Sequence, residues 1–149
     1  MIVHWDGHDI AAWDAVHASA AAALQQDWAY GASLAILGVP VLRARVLRDG
    51  QQIAQAQFIV RKWGNLGSMA LCTRGLVWSQ PLTPKEEAQV YAAMKKSLPL
   101  SGIRFMAVTP EVAQGEPHGL HPMRRIMSGM STVMLDISDR KSTRLNSSH

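Results

Sequence analysis

The sequence predicts a single α/β domain with a mixed central sheet, an antiparallel meander at its centre and flanking helices. Residues 41–61 show two-residue alternation on both sides of Asp49-Gly50, a pattern typical of a β-hairpin closed by a tight turn. A further apolar run, 66–75, predicts a third strand. Segments with helical spacing stand before and after these strands, so helices and strands are mixed along the chain.

The segment before the meander predicts one short strand and two helices. Residues 2–5 form the strand, and a first helix is expected from an N-cap at Asp9 to Leu24. Its predicted apolar face comprises Ile10, Trp13, His17, Ala20 and Leu24.

The second helix is expected to begin after Asp27 and to stop at Gly38, because Pro40 forbids continuation. Its predicted apolar face comprises Trp28, Ala32, Ala35 and Leu37. A glycine inside a helix costs about 1 kcal/mol relative to alanine, so Gly31 predicts a bend or a close contact.

The segment after the meander begins with strong helix signals. Thr83 and Glu86 have the spacing of a capping box, and Pro84 occupies the first helical position. This helix is expected over residues 82–98. A strand at 103–111, a short helix at 121–129 that ends at Gly129, and a final strand at 131–138 are expected to follow.

Composition indicates a folded domain and excludes several classes of protein. The chain has 149 residues, of which 48% are hydrophobic and 17% charged. Cys72 is the single cysteine, which excludes a disulfide framework and a thiolate metal cluster. No segment resembles a signal peptide or a membrane span, so we expect a soluble cytoplasmic protein.

The net charge of +4 depends partly on the last eleven residues. Residues 139–149 carry three of the 15 basic and one of the 11 acidic residues, which leaves a net charge of +2 for residues 1–138. DNA is therefore not an expected partner. The segment "KSTRLNSSH" resembles translated adapter or vector sequence, so we expect a native domain over 1–138 and a non-native, disordered tail over 139–149. A genuine disordered C-terminus is the alternative.

Three stretches, taken in order, resemble a known family. They are "QQDWAYGASLAILG" at 25–38, "IAQAQFIV" at 53–60 and "TRGLVW" at 73–78. Their order and the order of elements resemble the acetyltransferase (GNAT) fold, and more specifically the N-terminal half of Fem-type peptidyltransferases and related acyltransferases. The resemblance spans about residues 3–138. Leu76 departs from it, because the family usually has proline there.

The resemblance implies an N-acyltransferase that moves an acyl or aminoacyl group onto an amine. It implies acyl-CoA or aminoacyl-tRNA as donor, and a small-molecule amine or a cell-wall (peptidoglycan) precursor as acceptor. It also implies a second acetyltransferase-like domain, so this chain is expected to be truncated, to bind no cofactor by itself and to be inactive alone. The alternatives are a non-catalytic GNAT-like module that binds a ligand or partner and, less favoured, a standalone acetyl-CoA enzyme.

The stretch 71–88 has the strand, glycine and helix layout of a phosphate-binding loop. A connection is favoured instead, because Gly75 lies nine residues before Pro84 and two glutamates in the first helical turn repel a phosphate. We expect Arg74, Gly75 and Trp78 to shape a substrate cleft, with Arg74 binding an acceptor phosphate or carboxylate. A salt bridge at a strand end is the alternative for Arg74.

Three further residues are substrate-binding candidates. Trp28 and Tyr30 are candidates for the acceptor pocket, with Tyr30 as a proton donor; helix packing is the alternative. Gln57, if buried, needs partners, which would come from a ligand or from a neighbouring strand.

Other chemistry-bearing residues give no assigned site. Cys72 is expected to be an inert core thiol rather than a nucleophile. His118 and His121 have a metal-like spacing, but only Glu116 lies near them in sequence, so no metal site is expected. No catalytic residue is assigned.

Overall fold

The computed structural model describes residues 1–111 and 117–122 of the chain. Along these residues the order is one strand, two helices, four strands, a helix and a strand. The elements are β1 (Ile2–Trp5), α1 (Ile10–Ser19), α2 (Trp28–Ile36), β2 (Val41–Arg48), β3 (Gln51–Trp63), β4 (Gly67–Thr73), β5 (Val77–Trp78), α3 (Pro84–Ser97) and β6 (Ile103–Thr109), with a 3-10 turn at Leu24–Gln26 between α1 and α2.

The strands form one open mixed sheet in the order β1-β2-β3-β4-β6. Neighbours are antiparallel except β4 and β6, which are parallel and are connected through α3. The short strand β5 pairs with β3 at Ala54 and Gln55. The prediction of a mixed sheet with an antiparallel meander and flanking helices is thus confirmed at the level of architecture.

The β2–β3 hairpin turns at Asp49 and Gly50, as the sequence predicts. Both residues have positive φ, 51° and 79°, which is the conformation of the tight turn that matches strand twist. The turn pairs Arg48 with Gln51, and an irregularity between Val46 and Leu47 then shifts the register, so that Val46 pairs with Ala54.

Helix α3 covers one face of the sheet, and the α1–α2 connection covers part of the other. On the α3 side, strand residues and helix residues form a core. The strands contribute Ala44, Val46, Ala54, Ala56, Phe58, Ala70 and Cys72, and α3 with its C-cap contributes Val90, Tyr91, Met94 and Leu98. On the opposite face, Gln55 donates to the carbonyl of Trp13 at 3.1 Å. Because both faces are covered there, six consecutive residues of β3, 53–58, are buried.

Helix α1 is shorter than predicted. It ends at Ser19 instead of Leu24, and Ala21 adopts a positive φ of 47°. The chain reverses direction after this point. The side chains of Trp13 and His17 hold the returning segment through hydrogen bonds to the carbonyls of Gln26 and Ala23, both 3.0 Å. Tertiary contacts therefore override the helix preference of the alanine run.

Two other predictions are corrected. The predicted apolar face of α2 is wrong, because Ala35 and Leu37 are exposed and the buried position is Gly31. The predicted strand 66–75 ends at Thr73, and β5 was not predicted. The close contact predicted at Gly31 is confirmed, as described below. The predicted helix 121–129, apart from its first two residues, and the strand and tail over 131–149 lie outside the described residues.

Candidate functional site

The sheet has a gap on one side of Gln57, and the side chain of Gln26 fills it. Strand β3 pairs with β4 only from Ile59 onward and with β5 only up to Gln55. In the gap, Gln26 Oε1 accepts from the Gln57 amide at 2.8 Å, and Gln26 Nε2 donates to the carbonyls of Gln57 (3.2 Å) and Thr73 (2.8 Å). One buried side chain therefore replaces the strand pairing that is missing there.

The side chain of Gln57 is buried and bonded within the chain. Its Nε2 donates to the carbonyls of Gln25 (3.2 Å) and Asp27 (2.8 Å), and its Oε1 accepts from Arg43 Nε at 2.8 Å. Gly31 lies against it, and a Cβ there would stand 2.1 Å from Gln57 Oε1. The partners of this buried candidate are thus the α1–α2 connection and β2.

Trp28 and Tyr30 lie on α2, and neither lines the cavities described next. The guanidinium of Arg43 stacks on the Trp28 ring, 3.7 Å from its centroid, and Trp13 meets the same ring edge-on at 5.8 Å. Burial lowers the pKa of Arg43. Tyr30 is half-buried, and its amide donates to the helix cap Asp27 at 3.2 Å.

Arg74 and Gly75 follow β4 at the point where the chain turns away from β3. Arg74 has a positive φ of 52° and forms a bidentate ion pair with Glu111, with bonds of 3.0 Å and 2.8 Å. Hydrogen bonding to Glu111 raises the pKa of Arg74. Gly75 has no space for a side chain, since a Cβ would lie 2.5 Å from Cys72 Sγ and 3.0 Å from the Gln26 amide carbon.

Two adjoining cavities share Trp78 as a wall. The larger has a volume of about 440 Å³ and is lined by Trp78, Ser79, Gln80, Pro81, Leu82, Glu87, Tyr91, Pro110 and Pro117. The smaller has a volume of about 150 Å³ and is lined by Ala20–Ala23, Arg74, Leu76, Val77, Trp78 and Glu111. The structure therefore brings Arg74 and Trp78 together at one cleft, with Gly75 between them in sequence and buried behind it.

Glu87 and Tyr91 also line this cleft, and His118 pairs with Glu87, although the sequence did not single them out as site residues. Trp78 and Tyr91 meet edge to face, with centroids 6.0 Å apart. Glu87 accepts from the His118 amide at 3.0 Å and pairs with His118 Nδ1 at 2.7 Å. Burial and the charge of Glu87 raise the pKa of Tyr91. The sequence signal was the i, i+4 spacing of Glu87 and Tyr91, which places both on one face of α3.

The N-terminus of α3 is occupied by its own capping box. The Thr83 amide donates to Glu86 Oε2 at 2.8 Å, and the Glu86 amide donates to Thr83 Oγ1 at 3.3 Å. The pKa of Glu86 is lowered to about 2 by the hydrogen bonds that it accepts from the Thr83 amide, from the Thr83 hydroxyl and from Arg48. A carboxylate stands where a phosphate would bind, which favours the interpretation of 71–88 as a connection.

The cleft contains no reactive thiol, and the described residues show no metal site. Cys72 is fully buried, and burial raises its pKa to about 12, so the thiolate nucleophile is not available at neutral pH. Within residues 1–111 and 117–122, no three histidine, cysteine, aspartate or glutamate side chains are arranged to hold a metal ion. No helix in the same ranges is long and apolar enough to cross a bilayer.

Comparison with known proteins finds similarity to a solved structure but not to a family model. No family model matches the sequence. No curated protein sequence matches it either. The crystal structure of FemX is similar, with a TM-score of 0.47 and 20% sequence identity. The match covers 63% of this chain and 23% of the FemX chain, so the chain spans less than a quarter of that protein.

Proposed function

We propose that this chain is part of an N-acyltransferase and that the cleft beside Trp78 is where the amine acceptor meets the acyl group. The observation that carries the proposal is the shared wall between the two cavities. Group transfer requires two reactants to be held in contact and correctly oriented. Cavities of about 440 and 150 Å³ that both have Trp78 in their walls offer two such places.

The larger cavity suits a primary amine or its ammonium form. The rings of Trp78 and Tyr91 and the carboxylate of Glu87 all line it. Aromatic faces attract cations, and a half-buried carboxylate is their natural counter-ion. Leu82 and Pro81 supply apolar surface for an aliphatic stem, as in a lysine-like side chain of a cell-wall precursor.

The smaller cavity suits a short acyl or aminoacyl group. Alanines 20–23 leave room in it, and Arg74 brings a positive charge to its wall. Acyl transfer develops negative charge on the carbonyl oxygen, and a fixed cation there lowers the barrier. In this proposal Glu111 holds the guanidinium of Arg74 in place.

Direct attack of the amine on the acyl carbonyl fits this cleft better than a covalent enzyme intermediate. The one cysteine, Cys72, is buried below the cleft, with its pKa raised to about 12. In a direct mechanism catalysis comes from positioning and from stabilisation of the oxyanion, so no strong nucleophile is needed.

The stretches that resemble the Fem-type family support the proposal through their arrangement. Gln26 from the first stretch, Gln57 from the second and Gly75 from the third lie in one packed unit behind the cleft. These residues hold the shape of the sheet gap. The donor, whether acyl-CoA or aminoacyl-tRNA, would then bind mainly through a second domain, because the first turn of α3 offers no phosphate cradle.

The test begins with the source DNA beyond the codon for Ser138. If the frame continues, the extended protein and the present chain are both assayed for transfer from acetyl-CoA and from aminoacyl-tRNA to Nα-acetyl-lysine amide. We expect transfer by the extended protein alone. Glu87→Gln should lower kcat/KM for the amine about tenfold or more, whereas Asp14→Asn, an exposed charge removal on α1, should leave it unchanged.

Two results would overturn the proposal. If Glu87→Gln leaves kcat/KM for the amine unchanged, the amine does not bind in this cleft. A frame that ends with the present chain, together with no transfer and no donor binding, would favour the non-catalytic binding module. Under either function Gln57, a substrate-binding candidate, is not expected to contact the acceptor, because its side chain bonds to Arg43 and to the carbonyls of Gln25 and Asp27.

A further inference from the structure

Three connections meet at one end of the molecule, opposite the β2–β3 turn. They are the α2–β2 connection at 36–40, the β3–β4 turn at 63–67 and the α3–β6 connection at 98–103. The Val60 amide bonds to the carbonyl of Pro40 at 2.9 Å, and the Ile103 amide bonds to the carbonyl of Leu66 at 3.2 Å. We name these three connections, together with the ends of the helices and strands that they join, the basic end.

The basic end carries a concentration of exposed large apolar side chains. Six of them are between 46% and 86% exposed, namely Ile36, Leu37, Trp63, Leu66, Ile103 and Phe105. The rings of Trp63 and Phe105 contact each other across the sheet, with centroids 5.6 Å apart. Each of the three connections thus presents apolar side chains to solvent, which is unusual for a surface that stays in water.

Among the residues that the structure describes, the charges of the basic end all have one sign. The exposed cations near it are Arg61, Lys62, Lys95, Lys96 and Arg104. Three stretches of the chain lead into and out of the basic end, namely 28–48, 50–85 and 88–110. None of these stretches contains aspartate or glutamate. Acidic residues lie at the far ends of these elements instead, at Asp27, Asp49, Glu86, Glu87 and Glu111.

We propose that the basic end is a docking surface for a membrane that contains anionic lipid. Aromatic rings and aliphatic side chains on turn tips partition into the headgroup region, and surrounding lysines and arginines are attracted by anionic headgroups. This inference is independent of the acyltransferase proposal, because it involves none of the residues that line the cleft.

Two other partners fit the basic end less well. The cores of protein–protein interfaces are depleted of lysine, whereas three exposed lysines, Lys62, Lys95 and Lys96, lie at this end of β3 and α3. Nucleic acid is bound mainly through its phosphates, which give no reason for Leu37 or Leu66 to be exposed.

The experiment is co-flotation of the whole chain with lipid vesicles. We expect binding to vesicles of phosphatidylcholine with about one third phosphatidylglycerol, little binding to pure phosphatidylcholine, and weakening by salt. The double variant Lys95→Gln/Lys96→Gln should weaken vesicle binding about tenfold or more. Trp63→Ser/Leu66→Ser should do the same through lost apolar insertion.

Matched controls lie away from the basic end. Lys85→Gln removes a charge from the first turn of α3, and Leu24→Ser removes an apolar side chain that is equally exposed but stands before α2. Both should bind vesicles like the original chain. Circular dichroism and thermal unfolding should show that all the variants remain folded, because every substituted side chain is exposed.

Three outcomes would overturn the proposal. The first is no co-flotation with anionic vesicles at 0.1 M salt. The second is equal losses for the test and control variants. The third is concentration-dependent self-association or RNA binding that Trp63→Ser/Leu66→Ser abolishes, in the absence of vesicle binding; this would assign the basic end to a second copy or to nucleic acid.

Discussion

Gln26 is the residue on which the centre of the sheet depends. Its amide group bonds to the main chain of β3 and β4 where those strands part. A hydrogen bond to a buried main-chain group contributes little net stability when made, but its loss leaves a desolvated group without a partner. Substitutions at this position are therefore expected to cost more than their change in volume suggests.

We predict that Gln26→Leu lowers the free energy of unfolding by about 3 kcal/mol or more, because it leaves the Gln57 amide and the carbonyls of Gln57 and Thr73 unbonded. Urea unfolding followed by tryptophan fluorescence measures it. Gln89→Leu, on the exposed side of α3, is the control and should change stability by less than about 0.5 kcal/mol. A loss below about 1 kcal/mol for Gln26→Leu would show that the gap is not sealed by this side chain.

Gly31 gives a second prediction at the residue scale. Alanine favours a helix by about 1 kcal/mol over glycine, yet here a Cβ would displace the bonded amide of Gln57. Gly31→Ala should therefore destabilise the chain by about 2 kcal/mol. In a Gln57→Ala background the same substitution should become neutral or stabilising, and a double-mutant cycle by urea unfolding checks this. Equal effects in both backgrounds would contradict the close contact.

The sequence predicted the contacts of Gly31 and Gln57 but not those of Gln26. A glycine within a helical pattern indicated a close approach at Gly31, and a glutamine on a strand face indicated that Gln57 needs partners. Gln26 carried no such signal, because its role exists only where two strands separate. The point at which two strands separate depends on the whole sheet, and the alternation of residues within either strand does not predict it.

Helix α3 is the element whose start was predicted best, because a capping box is a local signal. Thr83, Pro84 and Glu86 specify it within four residues, and no distant contact is needed. The shortened α1 and the strand β5 were missed for the opposite reason. Strand β5 forms by pairing with β3, and the turn after α1 depends on bonds from Trp13 and His17 to the carbonyls of Gln26 and Ala23, which helical spacing does not reveal.

The α3 cap also predicts a pH dependence of stability. The folded-state pKa of Glu86, about 2, lies below its ordinary value of 4.5, so its charge stabilises the fold above pH 4.5. This contribution is lost as the pH falls from 4.5 to 2. Glu86→Gln should therefore lower the Tm at pH 7 more than at pH 2.5, as measured by circular dichroism. An equal decrease at both pH values would contradict the cap geometry.

For the whole molecule, the buried thiol of Cys72 reports on opening of the core. It is covered on one side by α3 and on the other by Gln26, and its pKa is raised to about 12. We predict that alkylation by iodoacetamide is negligible in the native state and appears together with the urea unfolding transition. Rapid labelling without denaturant would show that β4 opens independently of the rest of the molecule.

The architecture of the whole molecule was predictable because composition, the hairpin and the caps agree with one another. The cleft was only half predictable. Arg74 and Trp78 stood close together in a strand–loop pattern, whereas His118 reaches Glu87 from 31 residues further along the chain. Assembly of the site depends on how α3 lies on the sheet, which no local pattern specifies.

The gap filled by Gln26 has a consequence for hydrogen exchange. The amide of Gln57 lies in the middle of the longest strand, where exchange would ordinarily require the sheet to unfold. Its hydrogen bond, however, goes to a side chain carried by the short segment between α1 and α2. The exchange rate of this one amide therefore reports the undocking of that segment, while neighbouring amides in β3 report the sheet.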